Sequence, residues 1–265
     1  MTDGDGADAP PTRVAVTGAS GVMGGQVLAV AAADPAYEVV VAVSRSPGDV
    51  DAPDGTAVAD EARLAGLLTD HDPDAVVDFT APAATRRYAA ACAETGTPLV
   101  TGTTGFDGEG EAALTEAAAR TPVLRAANFS RGVLALRRAV REAVTALPGA
   151  DVEVTETHHS RKRDAPSGTA RTILDDVDEA RGEAADRVHG REGETPRSAG
   201  EVGVHARRAG GLAGEHEVLI AEGPEAVTLS HRSESRATFA AGALDAAAWL
   251  AGRAPGTYEF GEVLD

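Results

Sequence analysis

Short apolar runs alternate with helical stretches through the first half of the chain. The apolar runs predict strands at 13–17, 38–43, 74–80, 98–101 and 122–127. The helical stretches between them are predicted at 26–33, 85–95 and 109–120. Because strands that alternate with helices in this way are covered on both faces, the pattern predicts an α/β fold with a doubly wound, mostly parallel sheet.

The pattern changes in the second half of the chain. The elements predicted there are a helix at 133–147, a strand at 151–157, a helix from 168 to about 180 and a charged surface loop at 181–200. Three runs that alternate in the manner of antiparallel strands follow, at 201–207, 215–222 and 226–233. This part of the chain therefore predicts a second, α+β domain built on an open mixed sheet. The arginines of the first helix, Arg137, Arg138 and Arg141, are expected on a solvated face.

A final Ala-rich helix at 236–251 is expected to return to the first domain. The domain boundaries then lie near residues 130 and 237, which assigns residues 13–130 plus 237–265 to the first domain and 131–236 to the second. A hinge at these two crossings would let the domains close on a ligand. Residues 1–12 are acidic and rich in Gly and Pro, and we expect them to form a disordered tail.

A glycine turn lies between the first strand and the first helix. Gly18, Gly21 and Gly24 form a GxxGxxG pattern, which differs from the more usual GxGxxG. Glycines at such a turn let a pyrophosphate approach the backbone at the positive end of the helix. We therefore expect a Rossmann-type dinucleotide site, formed by Gly18, Ala19, Ser20, Gly21, Val22 and Met23.

The second strand ends in Ser44 and Arg45, at the position where an acidic residue normally holds the ribose hydroxyls of NAD. An arginine there can accept a 2′-phosphate, so the sequence predicts NADPH as the preferred cofactor, with NADH possible. The alternative is that Arg45 is one more surface arginine.

Three further strand ends carry small or aromatic residues in the stretches DFT, GTTGF and AANFS. Ligands of doubly wound sheets bind at the carboxyl ends of the strands, so these stretches are expected to line the cofactor. The residues expected to do so are Phe79, Gly102, Thr103, Thr104, Ala126, Ala127, Asn128 and Phe129.

The composition limits the possible partners. A net charge of −18 and a pI near 4.7 argue against nucleic acid and against an anionic membrane surface. No apolar run approaches the length of a membrane span. Cys92 is the only cysteine and is expected in the core, which excludes a disulfide framework or a cysteine metal site and favours the cytoplasm. No metal site is predicted.

Residues 156–170 combine two histidines, a lysine and a turn of small residues. Lys162 is the only lysine in a chain that uses arginine freely, and a lysine can give up a proton where an arginine cannot. Ser167 is expected to cap a helix whose first N–H groups, at Gly168 and Thr169, would hold an anion. The alternative is a solvated basic loop on an acidic protein.

Four motifs follow one another along the chain in this order: the GxxGxMG loop, GTTGF, ANFS and the HHxxKxDAPSGTA segment. In these motifs the sequence resembles 4-hydroxy-tetrahydrodipicolinate reductases. The resemblance extends to Gly214-Glu215-His216 and to residues 235–243, and thus covers nearly the whole chain. It implies a cofactor domain, a second domain for substrate binding and tetramerisation, and reduction of a small cyclic dicarboxylate with NAD(P)H in lysine and diaminopimelate biosynthesis. A cytoplasmic homotetramer is expected.

The resemblance also implies roles for residues of the basic segment. His158 would be a proton donor or acceptor, Lys162 the proton donor, and His159, Gly168 and Thr169 the substrate-binding residues. Many members of the family have an acidic residue before the arginine that follows the second strand. Ser44 replaces it here, which supports NADPH and puts dual cofactor use in doubt.

Three other functions remain open from the sequence. Lys162 would be a Schiff-base nucleophile in a lyase, although the glycine turn would then have no use. The second alternative function is a sensor that binds NADPH without catalysis. The third is another Rossmann-type NADPH-dependent dehydrogenase of a small carboxylate substrate.

The strong acidity and the single lysine lead to the hypothesis that the protein works in a cytosol of high ionic strength, where carboxylates keep the surface hydrated. Because added salt screens repulsion among the carboxylates, we expect thermal stability and activity to rise along a potassium chloride series. Full stability without added salt would contradict the hypothesis.

Overall fold

The computed structural model describes residues 10–264 and divides the chain into two compact units. One unit contains the chain up to Phe129 together with the segment from Ala237 onward. The other unit is Ser130–Arg236. Residues 1–9, which make up most of the predicted disordered tail, lie outside the described residues, whereas Thr12 already belongs to the first strand.

The first unit is built on a seven-stranded sheet in the order β12-β6-β5-β4-β1-β2-β3, with every pair of neighbours parallel. Its strands are β1 (Thr12–Thr17), β2 (Tyr37–Ser44), β3 (Ala57–Asp60), β4 (Ala75–Asp78), β5 (Leu99–Thr101), β6 (Pro122–Arg125) and β12 (Gly256–Glu259). Its helices are α1 (Val22–Ala33), α2 (Leu64–His71), α3 (Pro82–Thr95), α4 (Gly108–Ala118) and α7 (Ala237–Leu250).

Both faces of this sheet are covered. The helices α1 and α7 pack against each other, and α2, α3 and α4 form a second neighbouring set whose apolar side chains share one core with the sheet. Val14, Val41 and Val76 of the central strands are fully buried, as their unbroken apolar runs require. Cys92 of α3 lies in this core, and burial raises the pKa of its thiol.

The second unit is built on a five-stranded mixed sheet in the order β11-β10-β7-β9-β8. Its strands are β7 (Asp151–His158), β8 (Arg187–Val188), β9 (Val202–Arg208), β10 (Gly214–Glu222) and β11 (Glu225–Ser233), and its helices are α5 (Arg131–Ala146) and α6 (Gly168–Arg181). Both helices contribute side chains to an apolar core on one face of the sheet. The predicted fold class, a doubly wound parallel sheet with a second domain on a mixed sheet, is therefore confirmed.

Five details differ from the sequence prediction, and the first is the helix α2, which was not predicted. The strands β3 and β12 extend the first sheet at its two edges, and β8 interrupts the stretch predicted as a surface loop. The strand β9 is parallel to β7 and does not pair with β10, so the antiparallel pattern is right only for β10 and β11. Short edge strands carry little periodic signal, and alternation alone does not determine which strands pair.

The expected solvated face of α5 is confirmed in part, because Arg138 and Arg141 are exposed whereas Arg137 is half-buried, but Arg137 and Arg141 also have a partner that the sequence did not predict. The Asp176 carboxylate on α6 is buried, and it accepts hydrogen bonds from Arg137 Nε at 2.6 Å and from Arg141 Nε at 2.6 Å. These arginines hold the two helices together through a buried acid, because a buried charge needs a partner.

The described part of the chain, residues 10–264, has no helix that is long and apolar enough to cross a membrane. The same residues contain no group of three or more His, Cys, Asp or Glu side chains arranged to hold a metal ion.

Candidate active site

The glycine turn has the close backbone approach that a dinucleotide needs. Gly18 has φ of +61°, and a Cβ at this position would lie 2.5 Å from Thr80 Cγ2. A Cβ at Gly24 would lie 2.2 Å from the Gly18 carbonyl oxygen, so glycine is required where α1 crosses the turn. The helix begins at Val22 after Gly21, which provides no side-chain cap for its first N–H groups. These features fit a pyrophosphate at the start of α1.

The other predicted cofactor residues follow the carboxyl ends of β4, β5 and β6, which are neighbours in the sheet. The rings of Phe79 and Phe129 meet edge to face with centroids 5.6 Å apart. The Thr80 N–H donates to Thr103 Oγ1 at 3.2 Å and joins the first loop to the second. The three loops thus form one continuous edge of the first unit.

A cavity of about 440 Å³ opens at this edge. Four of the predicted cofactor residues are among those that line it, namely Thr103, Thr104, Ala126 and Ala127. Its outer wall includes Arg125, whose Nη1 donates to both carboxylate oxygens of Glu111 at 2.6 and 2.7 Å.

A buried carboxylate lies beneath these loops. Asp78, at the end of β4, is completely buried in the first unit. Its two oxygens accept hydrogen bonds of 2.6–3.0 Å from the hydroxyls of Thr17, Thr80, Thr85, Thr101 and Thr103. This network joins the ends of β1, β4 and β5 and thereby fixes the loops that carry the predicted cofactor residues.

Arg45 follows β2 on the same edge of the sheet. Its side chain is exposed and makes no hydrogen bond or ion pair within residues 10–264. Ser44 is buried, and its hydroxyl lies 2.5 Å from the Ser20 hydroxyl of the glycine turn. The Ser44 hydroxyl therefore connects the end of β2 to the glycine turn. The cation at this position that faces solvent is Arg45.

In the second unit, His158 ends β7 and its ring is held by a glutamate two residues earlier. His158 Nδ1 lies 2.6 Å from Glu156 Oε2. The Glu156 side chain is 1% exposed and that of His158 is 12% exposed. An acid on the same face of the strand thus fixes the orientation of the imidazole.

Arg208 of β9 binds the same carboxylate with both terminal nitrogens, each at 2.7 Å. The Ser167 N–H donates to Glu156 Oε1 at 3.0 Å. Burial by itself would raise the pKa of Glu156, but the hydrogen bonds from Arg208 and His158 outweigh it and the pKa lies below its ordinary value. Glu156 is therefore an ionised, fully bonded carboxylate.

Ser167 connects this carboxylate to the start of α6. Its hydroxyl accepts from the Ala170 N–H at 3.1 Å, which confirms the predicted N-cap, and lies 3.1 Å from His216 Nε2. The His216 side chain is buried and its ring meets that of His158 edge to face at 5.3 Å. Burial lowers the pKa of His216 to about 4, so the ring is neutral at pH 7.

The remaining predicted residues of this unit lie on the loop before α6 and at its start. Lys162 Nζ lies 2.8 Å from Asp164 Oδ1, and this hydrogen bond holds the pKa of Asp164 below its usual range. His159 Nδ1 is buried without a hydrogen-bond partner among the described residues, and burial, followed by the charge of Arg236, lowers the pKa of His159. Gly168, the first residue of α6, is exposed.

Three residues of the network around His158 were not singled out by the sequence prediction, namely Glu156, Arg208 and His216. Arg208 is 52 residues from Glu156 along the chain and reaches it only because β7 and β9 are parallel neighbours in register. His216 belongs to the Gly214-Glu215-His216 motif of the family resemblance, which implied no role for it. A histidine within an apolar strand is a weak signal, and no local pattern could have indicated Arg208.

A parallel doubly wound sheet with a glycine turn between its first strand and first helix is the architecture of Rossmann-type dinucleotide-dependent enzymes, and this chain has that architecture. Two family models identify a narrower group within this class. A model described as "Dihydrodipicolinate reductase, N-terminus" matches residues 12–129, and one described as "Dihydrodipicolinate reductase, C-terminus" matches residues 132–264. The chain belongs to the dihydrodipicolinate reductase family and is an NAD(P)H-dependent oxidoreductase.

Similar proteins match over nearly their whole length. A 4-hydroxy-tetrahydrodipicolinate reductase of Haloarcula marismortui is 52% identical over 96% of this chain and 99% of its own. One from Natronomonas pharaonis is 52% identical over 95% of this chain and 100% of its own. The dipicolinate-bound dihydrodipicolinate reductase from Paenisporosarcina sp. TG-14 has a similar structure, with a TM-score of 0.78 and 26% identity over 94% of this chain and 97% of its own.

The lowered pKa of His216 predicts an acid-sensitive second unit. The folded protein binds this proton less readily than the unfolded chain, so the free energy of unfolding falls as the pH drops from about 6.5 towards 4. Over this pH range the free energy of unfolding should decrease by on the order of 3 kcal/mol. A His216→Gln variant, which keeps a polar group near Ser167, should lose less stability over this range in urea unfolding at pH 7 and at pH 4.5.

His189→Gln is the matched control, because His189 is exposed in the same unit. It should keep the pH dependence of the wild type. Equal losses in the wild type and the His216 variant would contradict this account of acid sensitivity.

Proposed function

We propose that this protein reduces 4-hydroxy-tetrahydrodipicolinate to tetrahydrodipicolinate with NAD(P)H, in the diaminopimelate route to lysine. The observation that carries the proposal is the match of both halves of the chain, over residues 12–129 and 132–264, to the two parts of one reductase family. The site residues discussed below support it.

The overall reaction replaces a hydroxyl group of the substrate by hydrogen. It consumes one hydride and one proton and releases one water molecule. The nicotinamide supplies the hydride when it is bound, so the chain itself must bind a small dicarboxylate and provide a proton. Both tasks suit the basic loop and helix start of the second unit.

The substrate carboxylates need cations and N–H donors. The backbone N–H groups of Gly168 and Thr169, at the positive end of α6, suit one carboxylate, and His159 and Lys162 suit the negative charge of the dicarboxylate. His159 Nδ1 is buried and has no partner among the described residues, which supports a role in binding. Ser167, as the N-cap, holds this end of the helix in place.

His158 and Lys162 are the proton-transfer groups in this proposal. The ring of His158 is held by Glu156, and the ammonium group of Lys162 is held by Asp164 at 2.8 Å. Histidine exchanges protons near neutral pH, and a lysine can donate one to an electron-rich intermediate.

The cofactor residues of the proposal all lie on the first unit. The turn from Gly18 to Met23 would hold the pyrophosphate, the loop from Gly102 to Thr104 and the segment from Ala126 to Phe129 the nicotinamide side, with Phe79 between them. Arg45 is exposed and has no partner in the described part of the chain, which supports a 2′-phosphate contact and hence a preference for NADPH over NADH.

We also propose a homotetramer in the cytoplasm. The face of the second sheet opposite α5 and α6 carries no helix within residues 10–264, and a partner subunit would cover it. Light scattering measures the mass, and a monomer at working concentration would contradict the assembly.

The decisive experiment follows NADPH absorbance after the addition of enzymatically generated 4-hydroxy-tetrahydrodipicolinate, with NADH in parallel. Substrate-dependent oxidation supports the proposal. Cofactor binding without oxidation would favour a sensor, and trapping of a keto acid by borohydride on Lys162 would favour a lyase.

Arg45→Ala tests the cofactor preference. Loss of a charge-assisted phosphate contact should raise the KM for NADPH by about tenfold, the result of losing about 1.4 kcal/mol, and leave the KM for NADH nearly unchanged. Arg120→Ala is the control, since Arg120 is exposed just before β6, at the opposite end of the strands. An unchanged preference for NADPH in the Arg45 variant would refute the assignment.

Lys162→Arg tests proton donation, because arginine keeps the charge but does not release a proton. Turnover should fall by about 10²–10⁴-fold. Arg163→Lys, a charge-preserving change at an exposed neighbour, should have little effect. Activity of the Lys162 variant within about threefold of the wild type would exclude a proton-transfer role for this residue.

A further inference from the structure

All the hydrogen-bond partners that the Glu156 carboxylate has among the described residues are donors. Arg208 contributes two, Ser167 contributes its N–H, and His158 Nδ1 completes the set. An ionised carboxylate is acceptor-only, so it satisfies all of them at once. An amide of the same shape would have to turn its NH₂ group towards a donor on one side or the other.

This arrangement fixes the tautomer of His158. A carboxylate 2.6 Å from Nδ1 can only accept, so Nδ1 carries a proton in both the neutral and the charged ring. Nε2 is then the only ring nitrogen that can gain or lose a proton. Within residues 10–264, Nε2 makes no hydrogen bond.

The space beside Nε2 is kept open by a glycine. Gly214 begins β10, and a Cβ added there would lie 3.1 Å from His158 Nε2 and 3.4 Å from Cδ2. Gly214 has no positive φ, so its backbone conformation would accept another residue. Its close approach to the ring is therefore the physical reason for glycine at this position.

We propose that Glu156 is a positioning residue, which keeps Nδ1 of His158 protonated so that Nε2 exchanges the proton of the reaction. Arg208 holds Glu156 in place, and Gly214 leaves Nε2 accessible. The inference rests on the proposed reduction, in which His158 transfers a proton. The resulting pair of a buried carboxylate and a histidine follows the same logic as the acid that orients the base in hydrolase triads.

The first test is the nitrogen-15 NMR spectrum of the His158 ring in the free, full-length protein, assigned by comparison with His158→Gln. We expect Nδ1 to stay protonated while Nε2 titrates. A neutral ring with its proton on Nε2 would overturn the proposal. Because no substrate is present, this result is independent of whether the protein reduces 4-hydroxy-tetrahydrodipicolinate.

The second test is Glu156→Gln. We expect kcat to fall by about 10²-fold or more, while the KM for the substrate changes by less than about threefold. The titratable groups near the ring are Glu156 itself, His159 and Lys162 of the adjoining loop, Arg208 from β9 and His216 from β10. Since only the carboxylate is removed, the alkaline limb of the pH profile of kcat should move to lower pH.

Glu153→Gln is a matched control for this variant. Glu153 also lies on β7, and its partners are likewise an arginine and a histidine, Arg197 and His205. Because it is three residues from Glu156 along the strand, its side chain projects from the opposite face of the sheet. A Glu156 variant that is folded and keeps kcat within about threefold of the wild type, with an unmoved pH profile, would overturn the proposal.

Gly214→Ala tests the same inference without touching the carboxylate. The added methyl group should lower kcat/KM by about tenfold or more, while the nitrogen spectrum still shows a protonated Nδ1. Gly211→Ala is the control, because a Cβ there meets nothing within 4 Å, and it should behave like the wild type. Equal activity of the two alanine variants would show that Nε2 needs no open space and would overturn the proposed exchange of the proton at this nitrogen.

Discussion

A buried carboxylate must be surrounded by donors, and this constraint organises both units. In the first unit, Asp78 accepts hydrogen bonds from five threonine hydroxyls, of which four end or follow a strand and one, that of Thr85, lies on α3. In the second unit, Glu156 accepts from Arg208, Ser167 and His158. Each acid is located near the carboxyl end of a central strand, where the loops with the predicted site residues begin. Because an unpaired buried charge is costly, each network holds its loops in a single arrangement.

The two networks suit different tasks. The hydroxyl donors around Asp78 are neutral and belong to short side chains, so they fix backbone positions without adding positive charge. The donors around Glu156 include a guanidinium, which keeps that carboxylate ionised. An ionised acid can orient an imidazole and stabilise its cation, which a hydroxyl network cannot do.

The sequence predicted those features that depend on local residue type or on periodicity. The alternation of strands and helices, the glycine turn and the N-cap at Ser167 are local, and they are found where expected. The partner of Glu156 was not predictable, because Arg208 reaches it through the parallel register of β7 and β9. The ion pairs of Arg137 and Arg141 were not predictable either, because an amphipathic pattern does not reveal that Asp176 of another helix is buried opposite them.

The use of arginine and lysine in this chain follows from the same constraint. Arg208 binds Glu156 with two nitrogens, and Arg137 binds Asp176 in the same bidentate way, at 2.6 and 3.0 Å. A planar guanidinium matches both oxygens of a carboxylate and stays charged, so it is the better partner for a permanent ion pair. Among residues 10–264, the Lys162 side chain has one ion-pair partner, the exposed acid Asp164, and it lies on the loop rather than in either network. Its one contact leaves the ammonium group able to turn towards a ligand, and a lysine can give up the proton that an arginine retains. In the proposed reduction the proton donor needs a charge that is not permanent, and a lysine, unlike an arginine, meets that need.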